Sequence, residues 1–288
     1  MIPALPRGRF ERYAVAGYVA MFFLFLFLPL AVVVLFAFND ANYPAPPWRG
    51  FTLDWFIGNA ARGRVGLIKD RALLSSIWTS VVVAVWVTML AVAAGTANAF
   101  LLERARFRGK TALSLAMLTP LVIPGVILGI SILAFASRLA RLADDLLGLE
   151  LEFLRPGLPL VVAGQFSFIV AIATLTIAAR LKRFDSSLEE AALNLGASRG
   201  AVFRTVTLPY LKPAVIGAAA IAFLMSFENF NTTLMLVGSD PPLTIMMYGR
   251  MREGASPVLN AVSLFLMVAS ALLALALMRR PAAGPRKR

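Results

Sequence analysis

Six apolar stretches, each long enough to cross a lipid bilayer as a helix, leave this chain few other ways to fold. They are Ala14–Phe38, Leu74–Leu102, Ala112–Ala134, Leu158–Ala179, Ala214–Val237 and Pro257–Met278. A hydrocarbon core of about 30 Å needs about 20 residues of helix. Of the 28 basic and 15 acidic residues, only Glu228 lies inside any of the six. Lipid offers no partner to backbone N–H and C=O groups, so the spacing predicts helices in all six. The third carries Pro120, Pro124, Gly125 and Gly129, and a kink is expected there. No stretch between the blocks is long enough to bury a core of its own. We therefore expect one all-α integral membrane domain over residues 1–288.

Composition removes several functions. The chain has no Cys and no His. Disulfides, thiolate or imidazole metal sites and His-based acid–base catalysis are excluded, and no metal site is expected. Gly109-Lys110-Thr111 is the nearest approach to a phosphate loop, but Arg104 stands where its first glycine would be. The chain is read as no enzyme, binding no cofactor of its own. The net charge of +13 follows the membrane topology and not a nucleic-acid patch. With six spans both termini share a side, and that side holds eighteen of the 28 Lys and Arg residues. The bias places the termini and the loop 181–212 in the cytoplasm. The first outer loop runs against it with Arg49, Arg62, Arg64, Lys69 and Arg71, set among Asp40, Asp54 and Asp70.

The loop 181–212 carries the densest pattern. It reads Glu190-Ala191-Ala192, three residues, Gly196, nine residues, Val206, one residue, Leu208-Pro209. Ser186 to Glu189 and Ser187 to Glu190 fit the capping-box spacing, so a short helix is expected to run to about Leu195. Leu188, Ala191, Ala192 and Leu195 would form one shallow apolar stripe. Gly196 suits the left-handed position that ends a helix. Ser198 can cap a second short helix, expected to stop before Leu208-Pro209. Taken alone, such a helix could simply rest on the membrane surface.

The pattern resembles the EAA loop of ABC importer permeases, whose loop joins a membrane channel to a separate ATPase. The resemblance implies the type I ABC importer permease fold in a bacterial cytoplasmic (inner) membrane. It implies that Glu190, Ala191, Ala192, Gly196, Leu208 and Pro209 belong to the ATPase-coupling surface. The implied partners are a second permease subunit, two ATPase subunits carrying ATP and Mg, an extracytoplasmic solute-binding protein and membrane lipid, with no nucleic acid. Three further stretches are similar to spermidine/putrescine permeases: Arg106-Phe107-Arg108-Gly109-Lys110, Ala179-Arg180-Leu181-Lys182-Arg183-Phe184-Asp185 and Ser256-Pro257-Val258-Leu259-Asn260-Ala261. The implied solute is a polyamine, with another small organic cation, an amino-acid derivative or an anion as alternatives. At Ser226-Phe227-Glu228-Asn229 one acid is followed by an amide, where that group is expected to carry adjacent acids.

Glu228 is the candidate for a translocation path, because an ionisable group within a span is usually turned to a bundle interior or a water path. On a continuous helix Asn231 and Thr232 share its face, and Gln165 of the fourth block falls at a similar depth. A structural polar contact between helices is the other reading. A secondary transporter is the rival class. It calls for ion-coupling residues in several spans and often for repeat symmetry. Reporter fusions at Ala41 and Arg288 should report opposite sides of the membrane, and the same side for both would refute the span count or the orientation.

Overall fold

The computed structural model describes residues 9–278. Among them it contains only helices and two isolated antiparallel bridges, Asn39 with Phe51 and Asn59 with Arg64. The helices in chain order are α1 Arg9–Ala37, α2 Asp54–Ile57, α3 Arg71–Arg104, α4 Lys110–Val122, α5 Gly125–Leu147, α6 Leu158–Leu181, α7 Ser187–Asn194, α8 Arg199–Val202, α9 Leu208–Phe227, α10 Asn231–Leu236, α11 Leu243–Glu253 and α12 Val258–Met278. The all-α expectation holds. Five helical segments are long and apolar enough to cross a membrane: Phe10–Ala37, Arg71–Arg104, Gly125–Leu147, Leu158–Leu181 and Arg199–Phe227. Arg7 and the basic residues of 279–288 that entered the charge count lie outside the described residues.

Two of the six expected spans are not continuous. The third is cut at Ile123-Pro124, and its second half runs on to Leu147, well past the expected end at Ala134. Pro124 has no N–H to extend α4, and the residue before it is pushed to an extended backbone, φ −77° and ψ 128° at Ile123. The fifth is cut at Glu228–Phe230, between α9 and α10.

The chain divides into two compact units. One joins the segment up to Leu74 with the segment from Gly249, and the other is Ser75–Tyr248. In the first, α1 packs on α12, and α1 exposes Phe22, Phe23, Phe25 and Phe27, side chains suited to lipid. The polar chain after α1 folds around buried Asn39, which accepts from Arg49 N at 2.8 Å and, through its carbonyl, from Trp55 Nε1 at 2.8 Å. Asp40 accepts from Arg62 and Arg64, and Arg64 also reaches Asp54 at 3.1 Å while lying 4.6 Å over the Trp55 ring. Arg250 binds Asp70 through both nitrogens, at 2.5 and 2.9 Å. Two of the cations that run against the charge bias, Arg62 and Arg64, are thus engaged with acids of their own unit. Bonds from Arg250 outweigh burial and hold the Asp70 carboxyl below its ordinary range. That contribution to stability is full above the ordinary Asp value and is lost only as pH falls through the lowered one.

In the second unit a core of Val83, Val87 and Ala91 from α3, Ile169, Ala173 and Ile177 from α6 and Ala218 and Ala222 from α9 is completed by Leu236 of α10. Small residues allow the close approaches. A Cβ on Gly95 would lie 2.9 Å from Ala173 Cβ and 3.0 Å from Thr174 N, and one on Gly129 would meet Met235 Cβ at 2.9 Å. Gly95→Val should therefore lower stability by roughly 2 kcal/mol, an overpacking effect, read as a lower thermal midpoint of the detergent-extracted protein. Gly17→Ala, with nothing within 4 Å, should leave the midpoint unchanged.

Candidate functional site: the helix breaks and the loop 181–212

The break after α9 is held by side chains in place of helix bonds. Asn229 Oδ1 accepts from Thr233 N at 3.2 Å and from Thr233 Oγ1 at 2.9 Å, so Asn229 caps α10 from outside. Gln165, only 1% exposed, bridges the two sides. Its Nε2 donates to Thr233 Oγ1 at 2.8 Å, and its Oε1 accepts from Ser226 Oγ. Thr244 Oγ1 donates to the Asn229 carbonyl at 3.0 Å. The two breaks also meet: Thr232 Oγ1 donates to the carbonyl of Gly125, the first residue of α5, at 3.3 Å. A Cβ on Gly125 would lie 3.0 Å from Asn231 Cβ, so a larger residue would make α10 give way by a few tenths of an ångström.

This geometry corrects the single face drawn through Glu228, Asn231 and Thr232. Thr232 is buried, whereas Glu228 and Asn231 are exposed on this chain. The helical wheel fails because the chain leaves the helix at Glu228, where Asn229 and Thr233 supply competing bonds. Gln165 is brought to the break, but through Ser226, Thr233 and Asn229. Those three have a sequence signal, polar residues packed into an apolar block, that the wheel did not use.

The loop after α6 begins with Phe184 edge-on to Tyr210 at 5.0 Å and the Arg180 guanidinium 4.1 Å over the same ring. The capping boxes at Ser186 and Ser187 do not form. Asp185 Oδ1 instead accepts from Ser187 N at 3.0 Å, and this bond with that of the Ser187 side chain holds the Asp185 carboxyl below its ordinary range. Glu189 is drawn elsewhere. Its Oε2 lies 2.6 Å from Arg104 Nη1 and its Oε1 accepts from Thr207 Oγ1. Burial pushes the Glu189 carboxyl up, but Arg104 and Thr207 outweigh it, so it titrates below the ordinary value.

Gly196 does end α7, with φ +87°. Ala197 N bonds back to Ala192 O at 3.1 Å and Gly196 N to Leu193 O at 2.9 Å. Ser198 Oγ caps α8 by accepting from Ala201 N at 3.3 Å. The expected stop before Leu208-Pro209 is not there. The chain passes from α8 through a π turn at Phe203–Thr207 directly into α9. Pro209, which has no N–H to donate, is the second residue after that π turn.

Of the loop residues singled out in the sequence, Glu190, Ala191, Gly196, Leu208 and Pro209 are exposed and Ala192 is half-buried. Of the apolar stripe, Leu188 is 52% and Leu195 89% exposed and Ala191 is exposed, while Ala192 is half-buried. Glu189, Arg104 and Thr207 form the internal anchor and were passed over, because Glu189 reads as one half of a capping box. Among the described residues no three acidic side chains converge to hold a metal.

The profile of the family described as "Binding-protein-dependent transport system inner membrane component" matches residues 92–279. The putrescine transport system permease protein PotI of Escherichia coli (strain K12) is 29% identical over 251 residues, which cover 85% of this chain and 82% of that protein. The spermidine/putrescine transport system permease protein PotC of the same organism is 27% identical over 261 residues, 90% of each. Among solved structures, a chain of a bacterial ABC transporter involved in import of the acidic polysaccharide alginate superposes with a TM-score of 0.72 at 16% identity, covering 94% of this chain and 96% of that one. At that identity the likeness is one of fold.

Proposed function

Because this chain belongs to the family of binding-protein-dependent transport system inner membrane components, we propose that it forms half of the pathway of an ABC importer for a polyamine and that α7 receives a separate ATPase subunit. The family and its fold make it a multi-pass permease of the inner membrane, a translocation subunit and not a catalyst. The observation that carries the docking reading is the state of α7. Leu188 and Ala191 of the helix and Leu195 just after it are exposed, while its one half-buried acid is fixed to the chain behind it. A helix resting only on lipid has no need of such an anchor. On this reading Glu190, Ala191, Ala192 and Gly196 face the ATPase, while Leu208 and Pro209 open the span that follows.

A second permease subunit would close the pathway, two ATPases would bind ATP and Mg, and an extracytoplasmic binding protein would deliver the solute. Both termini and α7 would then face the cytoplasm. Closure of the ATPases would displace α7, and the spans tied to it would exchange inward-open for outward-open arrangements. The polyamine reading is supported by PotI and PotC, whose similarity extends over most of their length. It is supported too by Glu228, an exposed carboxylate at a helix break beside Asn231. Where α9 gives way to α10, such a group can meet an ammonium ion in transit. Gln165 and Thr232, buried beside it, would shape the break that presents it.

The test is uptake by the reconstituted importer. Gly196→Asp places a side chain where φ is +87° and a charge on the docking face. It should reduce ATPase recovery about tenfold, equivalent to roughly 1.4 kcal/mol, with the permease still inserted. Glu228→Gln should lower putrescine uptake about fivefold, a change of roughly 1 kcal/mol, while complex yield and basal ATP hydrolysis hold. Normal ATPase recovery in the first variant would defeat docking at α7. Undiminished uptake in the second would remove the charge argument for a cationic solute.

A further inference from the structure

Three features surround the base of α7. A cleft of about 350 Å³ lies beneath it, lined by Arg104, Glu189, Leu193, Arg199, Val202 and Phe203. The helix is therefore not seated on a continuous apolar bed. Its covalent link forward passes through Gly196, which has a left-handed backbone and no atom within 4 Å of where a Cβ would be. Such a link bends easily and transmits force poorly. What spans the cleft is one carboxylate, Glu189, bonded to Arg104 and to Thr207. Arg104 is the last residue of α3 and lies 5.3 Å over Phe100 and 5.5 Å over Phe184. Thr207, wholly buried, is the last residue of the π turn that opens into α9.

We propose that Glu189 is a positioning residue that ties α7 to two membrane spans at once, delivering its displacement to α3 through Arg104 and to α9 through Thr207. The inference rests on the reading that α7 receives an ATPase. A displaced α7 joined to the spans only by its covalent links, residues 182–186 behind it and Gly196 ahead of it, would swing across the cleft. Joined through Glu189, it carries the ends of α3 and α9 with it. The geometry makes the ionic contact the stiff element. A 2.6 Å charge-assisted bond tolerates little extension, and the rings of Phe100 and Phe184 both lie within 5.5 Å of the guanidinium. Glu189 and Glu190 thereby divide the work, with one acid turned inward to the spans and its neighbour exposed on the docking face.

The experiment uses the complete importer in proteoliposomes and measures solute taken up per ATP hydrolysed, alongside ATPase recovery. Glu189→Gln keeps the shape and an acceptor for Thr207 but loses the charge facing Arg104. Arg104→Glu reverses the other partner, and the double exchange Glu189→Arg with Arg104→Glu restores opposite charges. Each single change should leave ATPase recovery within about twofold of wild type yet lower uptake per ATP about fivefold, as expected of a half-buried pair broken from one side. The double exchange should return uptake per ATP to within about twofold of wild type. Wild-type uptake per ATP in Glu189→Gln would overturn the proposal. So would a loss of ATPase recovery in step with uptake, the mark of a loop that has merely lost its fold, or a double exchange no better than its singles. If wild-type permease retained no ATPase, the docking reading would fail first and this inference with it.

Discussion

A peptide group left unpaired in hydrocarbon costs several kcal/mol, and the rest of this structure depends on how that demand is met where helices stop inside the membrane. Elsewhere the helix ladder suffices. At Ile123-Pro124 and at Glu228–Phe230 it does not, and at the second break polar side chains stand in for it. Asn229 caps α10, Gln165 holds Ser226 on one side of the break and Thr233 on the other, and Thr232 reaches Gly125 across to the second break. The glycines make this arrangement possible by letting α10 sit against α5 and α6 at backbone distance. A broken, internally satisfied span is one that can present a charged group without exposing bare backbone to lipid. Glu228 stands at such a place.

The same economy of polar contact governs the loop that follows α6. A helix of eight residues has little stability alone. α7 is held by Asp185 at its start, by the left-handed Gly196 at its end and by Glu189 at its base. Nothing on its outer face is used to hold it. Its leucines are therefore left for a partner, and its fixed side is left for the spans. On the proposed function both properties would be needed in one element, since the energy would arrive from outside the chain and the movement would be required within the membrane.

Much of this was legible in the sequence, and the failures have two causes, remote partners and local backbone breaks. Apolar length predicted an all-helical membrane chain, and five helices among the described residues are long and apolar enough to span, because lipid imposes a coarse rule that tolerates local error. Gly196 and Ser198 were read correctly, since left-handed backbone and N-capping are local matters. The continuous fifth span was not, because Asn229 and Thr233 break it only with Gln165 some sixty residues away to complete the network. The third span was read as kinked at Pro120 to Gly129, and the structure sharpens the kink to a full break at Pro124. The capping boxes failed because Glu189 has a stronger partner in Arg104, 85 residues distant, than in a backbone N–H nearby. The stop before Pro209 failed because a π turn carries the helix through. The fifth-span and capping-box errors concern side chains whose partners are remote in sequence, whereas the break at Pro124 and the π turn are local backbone features.

The central claim is that the outer face of α7 is covered by an ATPase in the working complex. The chain contains no cysteine, so one can be introduced without background. Leu195→Cys places a thiol on the most exposed leucine of the loop, and Tyr43→Cys, also exposed but in the loop after α1, serves as control. The rate of maleimide labelling should be measured on permease alone and on permease assembled with its ATPase. The account predicts that assembly slows labelling at position 195 about tenfold or more, as expected of a residue enclosed in a specific interface, and leaves position 43 unchanged. Equal labelling at position 195 in both states, with ATPase bound, would contradict it.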